Sequence, residues 1–172
     1  MYKHFIPTPA TLEELKSMYR ELALAHHPDR GGDAEAMKEV NNEYDLLFSM
    51  LKDIHRDSAG ETYTARNESR ERASDFKDLI SELLKMVDIE IEIIGCFVWV
   101  TGNTKPYREH LKALKFQWHS KKCAWYLKPE DYKRQSRKDY TLEEIRLMYG
   151  SSGKMNSSGK SEYELEAHRK ER

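Results

Sequence analysis

The chain has 172 residues, 38% hydrophobic and 34% charged, with a net charge of −1. That length and polarity fit one or two domains, and we expect two small cores rather than one large one. The near-zero total conceals a division: residues 1–104 carry 12 Lys+Arg against 20 Asp+Glu, while residues 105–138 carry 11 against 3. The longest apolar run, Ile93 to Val100, includes a glycine and falls well short of the about 20 residues that span a bilayer.

Thr11-Leu-Glu-Glu14 is a capping box: the threonine hydroxyl accepts from an amide one turn on, and the glutamate reaches back. Leu12, Leu15, Tyr19, Leu22 and His26 then share a helical face. Pro28 stops this helix, because proline disfavours helical geometry at the preceding residue. Gly31 and Gly32 continue the loop, and Asp33 caps a second helix with Met37, Val40, Tyr44, Leu47, Leu51 and Ile54 as its apolar stripe. The two amphipathic helices predict an antiparallel hairpin over residues 1–56. Residues 57–73 are charged and without apolar period, and read as a linker or a solvated helical extension.

Residues 74–150 predict a small α+β unit of order β-β-α-β. A helix capped by Ser74 carries Phe76, Leu79, Ile80, Leu83 and Val87 on one side. The period then changes: Asp88-Ile-Glu-Ile-Glu-Ile93 alternates strictly, as a half-buried strand does. Gly95-Cys96 fits a two-residue hairpin loop with glycine first, and Phe97–Val100 is the return strand. A helix over 104–115 with Pro106 in its first turn faces Tyr107, Leu111 and Leu114 inward. After a polar turn from His119 to Lys122, Cys123–Leu127 is a third strand. A second capping box, Thr141-Leu-Glu-Glu144, opens a helix carrying Leu142, Ile145 and Met148 that Gly150 closes. Residues 151–172 begin Ser/Gly/Lys-rich and read as a disordered tail.

His27-Pro28-Asp29 joins the first two helices. Tyr19-Arg20-Glu-Leu22-Ala23-Leu24 ahead of it, and Met37-Lys38-Glu39-Val40-Asn41 with Tyr44 and Leu47 behind it, resemble helices II and III of a J domain, the DnaJ module. The resemblance covers roughly residues 10–55. It implies a co-chaperone that docks on a DnaK-type seventy-kilodalton heat-shock ATPase, accelerates that partner's ATP hydrolysis and delivers an unidentified client. The residues it assigns to docking are His27, Pro28 and Asp29, with Lys16 and Arg20 from helix II and Arg30 beside the loop. Proline fixes its own φ and holds His27 extended, so the loop presents imidazole and carboxylate on a stiff turn. The chain departs from the family pattern in two places. Met1–Ala10, with Pro7 and Pro9, leaves little of helix I, and Glu13, Glu14 and Glu21 outnumber Lys16 and Arg20 on helix II. The Gly/Phe-rich stretch and paired-cysteine repeats of larger J proteins are absent from this sequence.

A softer resemblance covers residues 97–127. Leu114-Lys-Phe116-Gln-Trp118 followed by Trp125-Tyr126 is similar to a small module of J proteins from bacteria, phages and mobile elements, with Lys115 where that pattern has glycine. Lys105, Arg108, Lys112 and Lys115 fall at spacings of three or four, with Lys121, Lys122 and Trp118 after them. A basic stripe ending in an aromatic suits single-stranded nucleic acid, where charge tracks the backbone and a ring stacks a base. The alternative is that the aromatics are the core of a small sheet and the lysines its solvated face. Cys96 and Cys123 form no CxxC pair and no metal ligand set, and no nucleophile–base pairing or nucleotide-binding loop is present. We therefore expect no enzyme, no cofactor, no metal and no membrane partner. With free thiols and no secretory signal read in the sequence, we expect a cytoplasmic chain.

Overall fold

In the computed structural model, which describes residues 2–57, 59–65, 70–130, 132, 138–151 and 154–156, the N-terminal hairpin forms as expected. Helix α1 spans Leu12–His26 and helix α2 spans Ala34–Leu51. Thr11 Oγ1 accepts from the Glu14 amide at 3.3 Å, but Glu14 reaches one residue further back than a capping box requires, to the amide of Ala10 at 2.8 Å. Asp33 caps α2 through the Glu35 amide at 2.9 Å. Tyr19 ties the two helices together: its hydroxyl donates to Asn41 Oδ1 at 2.9 Å, and its ring lies 4.5 Å from that of Tyr44. Phe5 is the remnant of a helix I, fully buried in the same cluster.

Helix α2 ends at Leu51, so Ile54 does not extend its stripe. Ile54–Arg56 is instead strand β1, paired antiparallel with β2, Thr62–Thr64, inside the segment read as a linker. Asp57 turns the chain between them, accepting from the amides of Ala59 and Glu61.

Helix α3, Ala73–Leu84, starts one residue before Ser74, with Asp75 accepting from the Arg72 amide at 3.0 Å. Phe76, Ile80 and Leu83 are buried as their spacing predicts, whereas Val87 lies beyond the helix end and is 58% exposed. Strands β3 (Ile89–Ile94) and β4 (Phe97–Gly102) form the predicted hairpin, Ile94 opposite Phe97 across Gly95-Cys96, with Gly95 at φ +55°. The third predicted strand is β6, Ala124–Leu127. Two short edge strands lacked a sequence signal: β5, Gln117–His119, and β7, Met155–Asn156. All pairings are antiparallel in the order β5-β6-β4-β3-β7. Apart from its edge at 151 and 154–156, the expected tail lies outside the described residues.

The helix expected over 104–115 is broken. Lys105–Tyr107 is a 3-10 turn and α4 proper is only Arg108–Ala113. Lys115 follows at φ +67°, with its amide on the Lys112 carbonyl and the Phe116 amide on the Leu111 carbonyl. This is the left-handed helix ending that glycine takes without strain, at the position where the resembling module carries glycine.

The expectation of two separate cores is corrected. Ile89, Ile91, Ile93, Val98, Val100 and Trp125 on one sheet face join a single cluster with Leu12, Leu15, Tyr19, Tyr44, Phe48, Phe76, Ile80, Leu83 and Leu111. Phe76 sits at the seam, its ring 6.1 Å from Tyr19 and 6.2 Å from Tyr44. Helix α3 thus covers the hairpin. The opposite sheet face, with Ile94, Trp99 and Ala124, carries α5, Leu142–Tyr149, through Leu142 and Ile145. Arg146 of α5 holds the buried Glu92 of β3 by two hydrogen bonds at 2.7 Å. Burial pushes the Glu92 carboxyl up, but Arg146 and Ser151 outweigh that and keep it below the ordinary value. Both faces of the sheet are therefore covered, not one. No helix among the described residues is long and apolar enough to cross a membrane.

Candidate functional site

Pro28 shapes the loop as its chemistry demands. His27 has φ −64° and ψ 127°, the extended geometry forced on a residue before proline, and Pro28–Arg30 makes one 3-10 turn closed by Gly31 at φ +78°. Gly32 lets the chain double back: a Cβ there would lie 2.3 Å from the carbonyl carbon of His26, too close for any side chain. Within the turn the Asp29 amide donates to His27 Nδ1 at 3.3 Å. With Nδ1 accepting, neutral His27 carries its proton on Nε2, which faces Ser81 Oγ of α3 at 3.2 Å.

The three members of the loop are not equally available. The Asp29 side chain is 63% exposed and Pro28 is exposed, whereas the imidazole of His27 is 10% exposed beneath α3. Arg30, mostly exposed, donates through Nη1 to the Leu84 carbonyl at 3.3 Å, at the C-terminal end of α3 where helix carbonyls lack internal partners.

Lys16 and Arg20 share one face of α1, as their spacing of four predicts, but that face is not open. Lys16 Nζ pairs with Glu71 at 2.6 Å and lies 5.1 Å over the ring of Phe76. Arg20 is 1% exposed, and its Nη1 donates to the main-chain oxygen of Ile91 in β3 at 2.9 Å. Burial lowers its pKa against the pull of Glu21 and Glu92. The expectation of an exposed basic face on this helix is therefore corrected. What α1 shows to solvent includes Glu21 and Ala25, so its outer side is not basic.

Sequence reading missed the groups that close over these residues. Glu71 and Ser81 are polar side chains near or on α3 with nothing to mark their targets. The other two partners are backbone carbonyls, at Leu84 and Ile91, which carry no side-chain signature.

The second candidate surface is exposed except at Lys122, whose side chain is 8% exposed, and it is largely self-paired. Lys112 pairs with Glu109 at 2.8 Å, Lys115 with Glu130 at 3.1 Å, and Lys121 and Lys122 with Asp139 at 3.2 and 2.8 Å. Hydrogen bonds from Lys122 and Lys121 depress the Asp139 pKa to about 2, so this carboxylate stays charged at ordinary pH. Lys105 and Arg108 are exposed ahead of it, and Lys115 sits past the helix end, off the regular stripe. Among the aromatics, Trp99, Phe116 and Trp125 are buried, while Trp118 is 49% exposed with its ring 5.5 Å from that of Trp125.

A helical hairpin with a stiff His-Pro-Asp turn, locked by the Tyr19–Asn41 bond, defines a protein-docking module. Residues 5–56 match the family model "DnaJ domain". Over that stretch, under a third of the chain, the sequence and its hairpin are similar to the DnaJ domain. Among curated relatives, chaperone protein dnaJ A6 of Oryza sativa subsp. japonica is 41% identical over 56 residues, 33% of this chain and 14% of the relative. DnaJ homolog subfamily C member 5B of Sus scrofa is 36% identical over 95 residues, 51% of this chain and 48% of the relative. The small t antigen of Budgerigar fledgling disease virus is 53% identical over 36 residues, 21% of this chain and 25% of the relative. The chain thus spans less than half the length of each of these relatives. No solved structure matches it.

Proposed function

We propose that the protein is a co-chaperone that stimulates ATP hydrolysis by a DnaK-type seventy-kilodalton heat-shock ATPase through His27, Pro28 and Asp29. The observation that carries this reading is the turn itself: Pro28 and the Gly32 close approach fix its backbone, so binding loses little conformational entropy there. The chain acts only in trans, on its partner's active site. Single-turnover ATP hydrolysis by a DnaK-type ATPase is the test. His27→Gln is expected to abolish stimulation while the circular dichroism spectrum stays unchanged. Equal stimulation by both proteins overturns the reading.

The second unit supports a targeting role, with single-stranded nucleic acid as the alternative partner. The observation favouring it is Trp118, exposed beside a basic block, since an exposed ring can stack a base of any sequence. Among the described residues of the candidate stripe, its cationic part reduces to Lys105 and Arg108 once the paired lysines are set aside.

A further inference from the structure

We propose that α3 and the adjoining strand β3 occupy the docking face of α1 in cis, so that the partner ATPase and this segment compete for the same residues. The inference rests on the reading of Lys16, Arg20, His27 and Arg30 as partner contacts and adds how that face is regulated. All four are met by later parts of the chain itself: Lys16 by Glu71, Arg20 by the Ile91 carbonyl as well as by its neighbour Glu21, His27 by Ser81 Oγ, Arg30 by the Leu84 carbonyl.

The partners share one chemistry. A carboxylate, a hydroxyl and two carbonyls, one of them at the negative end of a helix, offer a face of hydrogen-bond acceptors to basic residues. A surface that recognises Lys16, Arg20, His27 and Arg30 must itself be anionic and rich in acceptors. The segment 71–91 presents that chemistry from within, aligned by Phe76 against Tyr19 and Tyr44 and by the burial of Ile80 and Leu83 in the same cluster. Asp29 remains outside, 63% exposed. The loop is therefore split, with its carboxylate presented to solvent and its imidazole withheld. Full engagement requires α1 to part from α3 and β3, and the apparent affinity of the partner is reduced by the fraction of molecules in which they have parted.

The test uses a pair that joins α3 to α2 without touching the docking residues. Lys77 Nζ lies 2.6 Å from Asp45 Oδ1. The full chain is made with Cys96→Ser, Cys123→Ser, Asp45→Cys and Lys77→Cys, and the two thiols are joined by a bismaleimide whose spacer contains a reducible disulfide. Stimulation of single-turnover ATP hydrolysis by a purified DnaK-type ATPase is compared before crosslinking, after it, and after reduction. Crosslinking is expected to lower stimulation by about tenfold or more, with recovery on reduction, as removal of the open population requires. Separately, Glu71→Lys sets two cations against each other at Lys16 and is expected to raise stimulation about three- to tenfold. His27→Gln in the uncrosslinked protein separates the two claims. If stimulation depends on His27 but neither crosslink nor Glu71→Lys changes it, the occlusion is wrong. If stimulation is absent from every form, or indifferent to His27, the co-chaperone reading itself is wrong.

Discussion

Lys16, Arg20, His27 and Arg30 meet acceptors 54 to 71 positions away in the chain, whereas Lys112, Lys115, Lys121 and Lys122 meet carboxylates 3 to 18 positions away. Composition alone makes the second group look like the functional one, because it lies in the block with the large positive excess. Structure reverses the weight. The first group ties the N-terminal hairpin to α3 and, through Arg20, to β3, and Lys16, Arg20 and His27 do so in buried surroundings, where losing a partner is costly. The second, Lys122 apart, lies on an exposed surface, where each pair contributes about 0–1 kcal/mol and can exchange for a ligand phosphate. A basic residue's position in the fold, not its membership in a charge block, decides what it does.

The sharpest break in that comparison comes at Arg20. On an open helix face, Arg20→Glu would change stability by only a few tenths of a kcal/mol. Here it strands the Ile91 carbonyl and buries an anion near Glu92, so a loss of about 3–5 kcal/mol is expected in urea unfolding. A midpoint within experimental scatter of wild type would place Arg20 at the surface. On the other region, Lys115→Gly is expected to stabilise by about 1 kcal/mol, since it relieves a left-handed side chain and gives up only an exposed pair with Glu130. A destabilised variant would mean that the pair outweighs the backbone strain. The smallest effect concerns nucleic acid. With Lys105 and Arg108 alone contacting phosphates, the log–log salt slope for a single-stranded oligonucleotide is about −1.4, at roughly 0.7 per contact. Asp139→Asn releases the exposed Lys121 and is expected to steepen it to about −2.1. An unchanged slope would show that this lysine serves only the fold.

The hairpin was legible because its signals are local. Thr11 and Asp33 cap, Pro28 stops, and the stripes repeat at helical period, so α1 and α2 follow from neighbours in sequence. The alternation of Ile89, Ile91 and Ile93, and the Gly95 turn, fixed β3 and β4 in the same way. What escaped notice was long-range. Nothing local distinguishes a lysine or arginine that will be covered by a later helix from one that faces water, so the burial of Lys16 and Arg20 could not be read from α1 alone. Strands β5 and β7 are three and two residues long, too short to show a period, and exist only because a neighbouring strand offers them a ladder. The break in the helix over 104–115 had one visible trace, Lys115 standing where the resembling module has glycine.

The central claim is that α3 lies over α1 and shields His27 as part of one shared core. Native-state hydrogen exchange read by mass spectrometry tests it most directly, comparing amides in Ala73–Leu84 with those in Leu12–His26 of the full chain. The account predicts that both segments are protected and that Glu71→Lys with Ser81→Ala accelerates exchange in Ala73–Leu84 first, while α1 keeps its protection from α2. Rapid exchange across Ala73–Leu84 in the wild-type protein, with α1 fully protected, would contradict it and leave the His27 face open.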